Sequence, residues 1–311
     1  MLQNNLTGSA DRDPDRKAYR YLEHAITYQQ LDREGNRLSR LLAELGVSRG
    51  DKVGIMLDRR METPLAIYAI LKAGAAFVPM DPAMPIARVR GIIQSCDLSL
   101  LISTRSQREK LQSVALDLNT ELVVIDCETG AQSQPPDKGC RFIPLSAAES
   151  FGHSALPVPR ISSSDTAYIM FTSGSTGIPK GIVHTHDSGN AYARLSVRQY
   201  GITADDVLGA HSPLHFDMST LGYLSIPLAG GCAVIIPDAY TKFPASMSQL
   251  MQDERMTIWY SVPFAIIQLL SRGGAGIEKP GSLEMDTLRR RAVCAKASSR
   301  VAGFAASSKS Q

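Results

Sequence analysis

No apolar run in this chain of 311 residues is long enough to cross a bilayer. The longest candidates, Thr63 to Met80 and Gly222 to Pro237, are interrupted by Lys72 or by glycine, proline and serine. Both fall short of the roughly 20 unbroken apolar residues a membrane helix needs. The opening MLQNNLTGSADRDPDR lacks a basic segment followed by an apolar one, so no secretory signal is expected and the cytoplasm is the expected compartment. Cysteine is scarce and unpatterned. Cys96, Cys127, Cys140, Cys232 and Cys294 are odd in number, widely spaced and without a CxxC pair, which argues against a disulfide framework or a zinc site and for buried free thiols. A basic surface for nucleic acid is also missing. Six of the 33 basic residues lie in 289–311, which holds no acid, so the rest of the chain carries 27 basic against 30 acidic groups. The net charge of +3 therefore belongs to that stretch, not to a binding face.

What is present suits a folded domain. With 44% apolar and 20% charged residues the chain can bury a large core. From Ile26 it reads ITYQQLDREGNRLSRLLAELGVSRGD, where Leu31, Leu38, Leu41, Leu42 and Leu45 fall at helical spacing and Thr27 with Gln30 can form a capping box. That helix is expected to end near Gly46. VGIML at 53–57 follows, then an apolar helix through Glu62 to Lys72, then AFVPMDP, a short buried strand entering a proline turn in which Asp81 is a turn residue. LSLLIS at 98–103 and ELVVID at 121–126 are unbroken apolar runs, the pattern of strands covered on both faces. Residues 127–164 turn to glycine, proline, serine and glutamine and read as a long surface connection. TAYIMF at 166–171, VLGAHS at 207–212, CAVIIP at 232–237 and TIWYSVP at 257–263 predict a second αβ unit. The expected fold is α/β, with mostly parallel sheets flanked by helices in two αβ subdomains. Along the chain this gives a leader over 1–14, a domain over 15–288 and a foreign Ala-, Ser- and Arg-rich tail over 289–311.

The segment that carries chemistry is TSGSTGIPKG, residues 172–181, delivered by the strand TAYIMF. It packs three glycines, four hydroxyls and one lysine into ten residues. Gly174 and Gly177 remove side chains where backbone amides can converge on phosphate oxygens, while Thr172, Ser173, Ser175 and Thr176 offer further donors. Lys180 supplies a full positive charge for an anion that gains charge as it leaves. The loop is not a Walker A motif, because its lysine sits between Pro179 and Gly181, nor is it GxGxxG.

With this loop, with TYQQLDREGNRLSRLLAELGVSRGDKVGI near the start, ILKAGAAFVPMDPAMP at 70–85 and SPLHFDMSTLGYL at 212–224, the chain resembles the adenylate-forming ligase superfamily. ILKAGAAFVPMDP is most like the amino-acid adenylation domains of nonribosomal peptide synthetases. The resemblance implies binding of ATP with Mg2+, attack of a substrate carboxylate on the α-phosphorus, and release of pyrophosphate to leave an acyl-AMP. A thiol then takes the acyl group; phosphopantetheine on a carrier protein, supplied in trans, is one such acceptor. The resemblance identifies no magnesium ligand.

By the same resemblance, the aspartate of FDxS holds the α-ammonium of an amino acid, and Asp217 occupies that position; Met218, Leu221 and Tyr260 line the side-chain pocket. Asp217, set between Phe216 and Met218, is expected among apolar neighbours, where a carboxylate needs a partner. A cap for the following turn is the simpler reading of the same residue. His215 packs either at the mouth of the site or as a structural residue, and His186, not His184, matches a family histidine after the loop. The family pattern continues with a YGPTE-like segment, a TGD-like aspartate, a hinge and a C-terminal domain with a catalytic lysine, none of which this sequence holds. The expectation is therefore a truncated N-terminal part with slow or absent turnover; one hypothesis for it is a shifted frame, because codons for Ala295 to Arg300 read two bases later can spell Glu, a small residue, an aliphatic residue, Phe and Pro, like the missing segment. An acyl-CoA synthetase-like fragment and a non-catalytic remnant remain the alternative readings.

Overall fold

Thr27 ends a strand and starts a helix. The chain opens with α1 (Gln3–Arg12), β1 (Lys17–Tyr21) and β2 (His24–Thr27) before α2 (Tyr28–Glu44). The capping box forms as read: Thr27 Oγ1 accepts from the Gln30 N–H at 3.2 Å, and Gln30 Oε1 accepts from the Thr27 N–H at 2.9 Å. Leu31, Leu38, Leu41 and Leu42 bury one stripe of the helix, and the chain leaves through Gly46 at φ +92°. The computed structural model describes residues 1–133, 135–155, 161–172, 179–272 and 292–294.

Strand and helix then alternate through β3 (Lys52–Ile55), α3 (Glu62–Lys72), β4 (Ala76–Pro79), α4 (Ile86–Cys96), β5 (Leu100–Ser103), α5 (Arg108–Leu118) and β6 (Leu122–Asp126). Every residue of β4 and β5 is buried, as unbroken apolar runs require. There follow β7 (Cys140–Pro144), β8 (Thr166–Thr172), β9 (Lys180–Thr185), α6 (His186–Tyr200) and β10 (Val207–Ala210). Then come α7 (Ile226–Ala229), β11 (Cys232–Ile235), α8 (Asp238–Thr241), α9 (Pro244–Asp253), β12 (Ile258–Ser261), α10 (Pro263–Arg272) and β13 (Ala292–Cys294).

The strands form a seven-stranded sheet, β7-β6-β5-β3-β4-β8-β9, and a six-stranded sheet, β13-β12-β10-β11-β1-β2. Pairing is parallel except for the hairpins β8–β9 and β1–β2. A central apolar cluster joins Leu38 and Ile67 of α2 and α3 to Ile102 of the first sheet and to Tyr19 and Ile235 of the second. Alternate residues face outward: Leu101 packs under Ile92 and Val114 of α4 and α5, and Val234 packs under Met247 of α9. The result is five layers, helices outside, between and outside two sheets. Buried tyrosines bridge the middle layer through backbone carbonyls, Tyr68 to Tyr223 at 2.8 Å and Tyr28 to Gly231 at 2.6 Å.

The structure departs from the sequence expectation in four places. The connection over 127–164 contains β7, whose register runs from Leu122↔Cys140 to Asp126↔Pro144, and a 3-10 turn at Leu145–Ser150. TAYIMF does not start the second unit but extends the first sheet, while β1 crosses to pair with β11. Within the stretch set apart as a leader, α1 is built into the core, because Leu2 and Leu6 fall one helical turn apart and bury fully, and Ser9 Oγ donates to the Pro227 carbonyl at 2.6 Å. Within the stretch set apart as a tail, β13 adds a strand parallel to β12, with Val293 opposite Tyr260.

Candidate active site

The site is assembled at the C-terminal ends of parallel strands, where open α/β sheets present their clefts. β8 and β9 pair antiparallel with Thr172 opposite Lys180, so the loop between them starts and finishes at neighbouring positions. Thr172 and Lys180 are both exposed there, and Ser173, Gly174, Ser175, Thr176 and Gly177 lie outside the described residues. Gly181 has a structural reason: a Cβ would sit 3.0 Å from Ile169 Cγ2 and 3.1 Å from Phe171 Cζ. The hairpin passes directly into α6, where Thr185 Oγ1 accepts from the Ser188 N–H at 3.1 Å.

Two histidines flank that junction on opposite sides. His184, on β9, stacks on Tyr168 with ring centroids 4.5 Å apart. His186 begins α6, is fully buried, and accepts the Leu2 N–H on Nδ1 at 3.2 Å. Burial, with the terminal ammonium nearby, pushes its pKa down to about 4.

The HFDMS segment forms a tight turn after β10. Phe216 N–H donates to the Pro213 carbonyl at 3.1 Å, Asp217–Ser219 is a single 3-10 turn, and a π-type turn over Leu221–Ser225 leads into α7. Asp217 was expected among apolar neighbours; it is exposed, and its carboxylate has no hydrogen bond or ion pair among the described residues. Nor does it cap the turn. Thr220 Oγ1 donates to the Asp217 carbonyl at 2.5 Å and Ser219 Oγ to the Leu214 carbonyl at 3.0 Å, so the turn is held without the carboxylate. The charge is felt on the hairpin. Burial pushes the Tyr168 phenol up to about 12 with Tyr192 and Asp217 adding to it, and burial lowers His184 against the opposing pull of Asp217. Tyr192, on α6, hydrogen-bonds with Thr220 and Ser196 and also feels the Asp217 charge. The carboxylate therefore lies close enough to Tyr168 and His184 of the strand pair, and to Tyr192, for its charge to act on all three.

Met218, Leu221 and Tyr260 line one small cavity, together with His211 and Tyr223. Its volume of about 10 Å³ is room for about one water molecule. His215 lies instead in a neighbouring cavity of about 250 Å³ with Arg59, Asp81, Phe216 and Asp238. His215 Nε2 is 3.7 Å from Asp81 Oδ2, and burial lowers its pKa although Asp81 opposes the shift. Asp81 keeps its turn role, accepting the Ala83 N–H on Oδ1 at 2.9 Å.

A family model described as AMP-binding enzyme matches residues 6–305, which takes in most of α1 and the larger part of the acid-free stretch. The chain belongs to the AMP-binding enzyme family. An L-proline–[L-prolyl-carrier protein] ligase of Pseudomonas fluorescens is 26% identical over 273 residues, which is 88% of this chain and 52% of that relative. Phosphinothricin tripeptide synthetase PhsC of Streptomyces viridochromogenes is 33% identical over 269 residues, 86% of this chain and 23% of its own length. Among solved structures, the AMPPNP-bound form of the nonribosomal peptide synthetase FmoA3 superposes with a TM-score of 0.74 at 28% identity, covering 93% of this chain and 28% of that one. The chain spans about half the length of the proline ligase and less of the other two.

For an AMP-binding chain, sequence reasoning passed over His184 and Tyr192, which the fold brings within reach of the Asp217 charge, and His211, which lines the small cavity. A signal existed for the first. Tyr168 and His184 sit on strands joined by a short loop, so a hairpin register would have paired them. Among the described residues no three acidic, histidine or cysteine side chains gather as a metal site, so no step through a protein-held metal is derived. Among the described residues no helix is long and apolar enough to cross a membrane.

Proposed function

We propose that this chain takes part in the ATP-dependent activation of an amino acid as its acyl-AMP, with release of pyrophosphate. The observation that supports the reading is Asp217, exposed, unpartnered among the described residues and near enough to the β8–β9 hairpin for its charge to act on His184 and Tyr168. A carboxylate there can take an α-ammonium while the substrate's own carboxylate points toward the loop side of the cleft. Loop donors from Thr172, Ser173, Gly174, Ser175, Thr176 and Gly177 would hold the phosphates, and Lys180 at the loop's exit would offset the charge that builds on departing pyrophosphate. Magnesium would arrive on the triphosphate and be shared with few protein ligands. Met218, Leu221 and Tyr260 would receive the side chain; His215, in the adjoining cavity, would border the site from outside. The acceptor would be a phosphopantetheine thiol on a carrier protein, in the cytoplasm.

Calorimetry with Mg-ATP and ATP–pyrophosphate exchange with amino acids test this together. Lys180→Ala should abolish Mg-ATP binding. Asp217→Asn should leave it intact and weaken the amino acid by about 10- to 150-fold, the equivalent of one charge-assisted hydrogen bond of roughly 1.5–3 kcal/mol. Fatty acids driving exchange as well as amino acids, or Asp217→Asn without effect on the amino acid, would refute the assignment.

A further inference from the structure

The small cavity is lined by Met218, Leu221, Tyr223 and Tyr260, by Ser212 and Ser219, and by the one imidazole of His211. The backbone of this residue is held across the two sheets: its carbonyl accepts from Arg59 Nε at 3.0 Å and Nη2 at 2.7 Å, and Arg59 in turn pairs with Asp238. Its ring is held as well. Nδ1 lies 2.8 Å from Oγ of the fully buried Ser261, and the ring meets Trp259 edge-on with centroids 5.6 Å apart. Among the described residues Nε2 has no hydrogen-bond partner. Burial and the nearby Arg59 charge push the imidazole down to about 4, so the ring is neutral at pH 7. A neutral ring whose Nδ1 is engaged by a hydroxyl presents Nε2 as one directed hydrogen-bonding group.

We infer that His211 makes this pocket selective for an amino acid with a short hydroxyl side chain, serine or threonine in kind, whose oxygen hydrogen-bonds to Nε2. The inference rests on the assignment of Asp217 to the α-ammonium and of this cavity to the side chain. Size and polarity point the same way. Space for one water is space for a hydroxyl, whereas a leucine or aromatic side chain would have to displace Met218, Leu221 or Tyr260. An alanine methyl would fit but leave Nε2 desolvated and unpaired, and sites built around a substrate hydroxyl discriminate against analogues lacking it.

Trp259 is the one tryptophan in the sequence and it touches the His211 ring, so its fluorescence reports occupancy without turnover. The probes are seryl and alanyl sulfamoyl-adenosine, non-reactive mimics of the acyl-adenylate, titrated into the full chain. The seryl compound should bind on the order of tenfold more tightly than the alanyl compound. In His211→Phe that ratio should fall toward one, and in His211→Gln, which restores a polar tip, it should recover in part. Equal binding of the two mimics, tighter binding of a leucyl mimic, or a serine preference that survives His211→Phe would overturn the inference while leaving amino-acid activation standing. Binding of neither mimic, or binding that ignores Asp217→Asn, would remove the activation reading itself and this inference with it.

Discussion

Replacing Lys72 by methionine should destabilise the fold by a predictable amount. The lysine side chain is 9% exposed and sits on α3, where Nζ donates to Asp32 Oδ1 at 2.8 Å and to Asn36 Oδ1 at 2.7 Å, both on α2. The same Asp32 oxygen accepts from Thr7 Oγ1 of α1 at 2.8 Å, and Asn36 Nδ2 donates to the His153 carbonyl at 2.8 Å. One ammonium thus organises three helices and a loop. Methionine keeps the stem that packs against Gly35, where an added Cβ would meet Lys72 Cε at 3.4 Å, but removes the charge. Asp32, 17% exposed, is left with the Thr7 hydroxyl and a long hydrogen bond from Asn36 Nδ2 at 3.5 Å, and no positive charge. Removing one member of a buried pair costs about 3–5 kcal/mol, and the residual exposure of Asp32 places this case near about 3 kcal/mol. At roughly 2 °C per kcal/mol for a chain of this size, Tm should fall by about 6 °C, with a parallel drop in the urea midpoint at constant slope. Lys72→Met combined with Asp32→Leu should recover most of the loss, because the stranded carboxylate is gone. Urea melts of the four proteins in the cycle decide it. Lys72→Met as stable as the parent, or a double variant whose loss equals the sum of the two single losses, would refute the reasoning.

Two further outcomes probe the cleft. Gly181→Val should cost about 1–3 kcal/mol by forcing apart Ile169 and Phe171, and should weaken Mg-ATP binding in calorimetry even where circular dichroism shows a native fold; unchanged binding would detach Gly181 from the loop's geometry. Asp217→Asn should lower the NMR titration midpoint of His184 further below its ordinary value, because the carboxylate opposes the effect of burial on that ring. A midpoint that stays or rises would place Asp217 away from the hairpin.

The elements that could be read in advance were those whose signal is local. Thr27 and Gln30 cap α2 because both groups lie within one turn, and LLIS and LVVID are strands because nothing polar interrupts them. Sheet membership is not local. Tyr19 pairs with Ala233 in parallel, and no feature of KAYRY distinguishes that partner from any strand of the first sheet. β7 was hidden for another reason: its five residues lie between proline-rich segments, and only the edge offered by β6 makes them a strand. The two histidines after the loop show how a boundary misleads. At i and i+2 they would share one face of a continuous strand, but β9 stops at Thr185 and His186 opens a helix. His184 therefore stacks on Tyr168 across the hairpin, while His186 turns back to Leu2.

Asp217 is the sharpest case, because the residue type was informative and its surroundings were not. An acid between phenylalanine and methionine reads as buried, yet on a one-turn 3-10 segment successive side chains diverge: Ser219 and Thr220 point inward and take the backbone carbonyls, while Phe216 and Asp217 face out. The physical consequence bears on function. A structural carboxylate at that position would be occupied by its own turn and would have nothing left for a ligand. Here the turn is satisfied by hydroxyls, and among the described residues the charge remains uncommitted. An uncommitted charge breaks no other contact when a cation arrives, and its attraction strengthens as the ligand displaces water. Asp217 therefore fits a binding role better than a folding one.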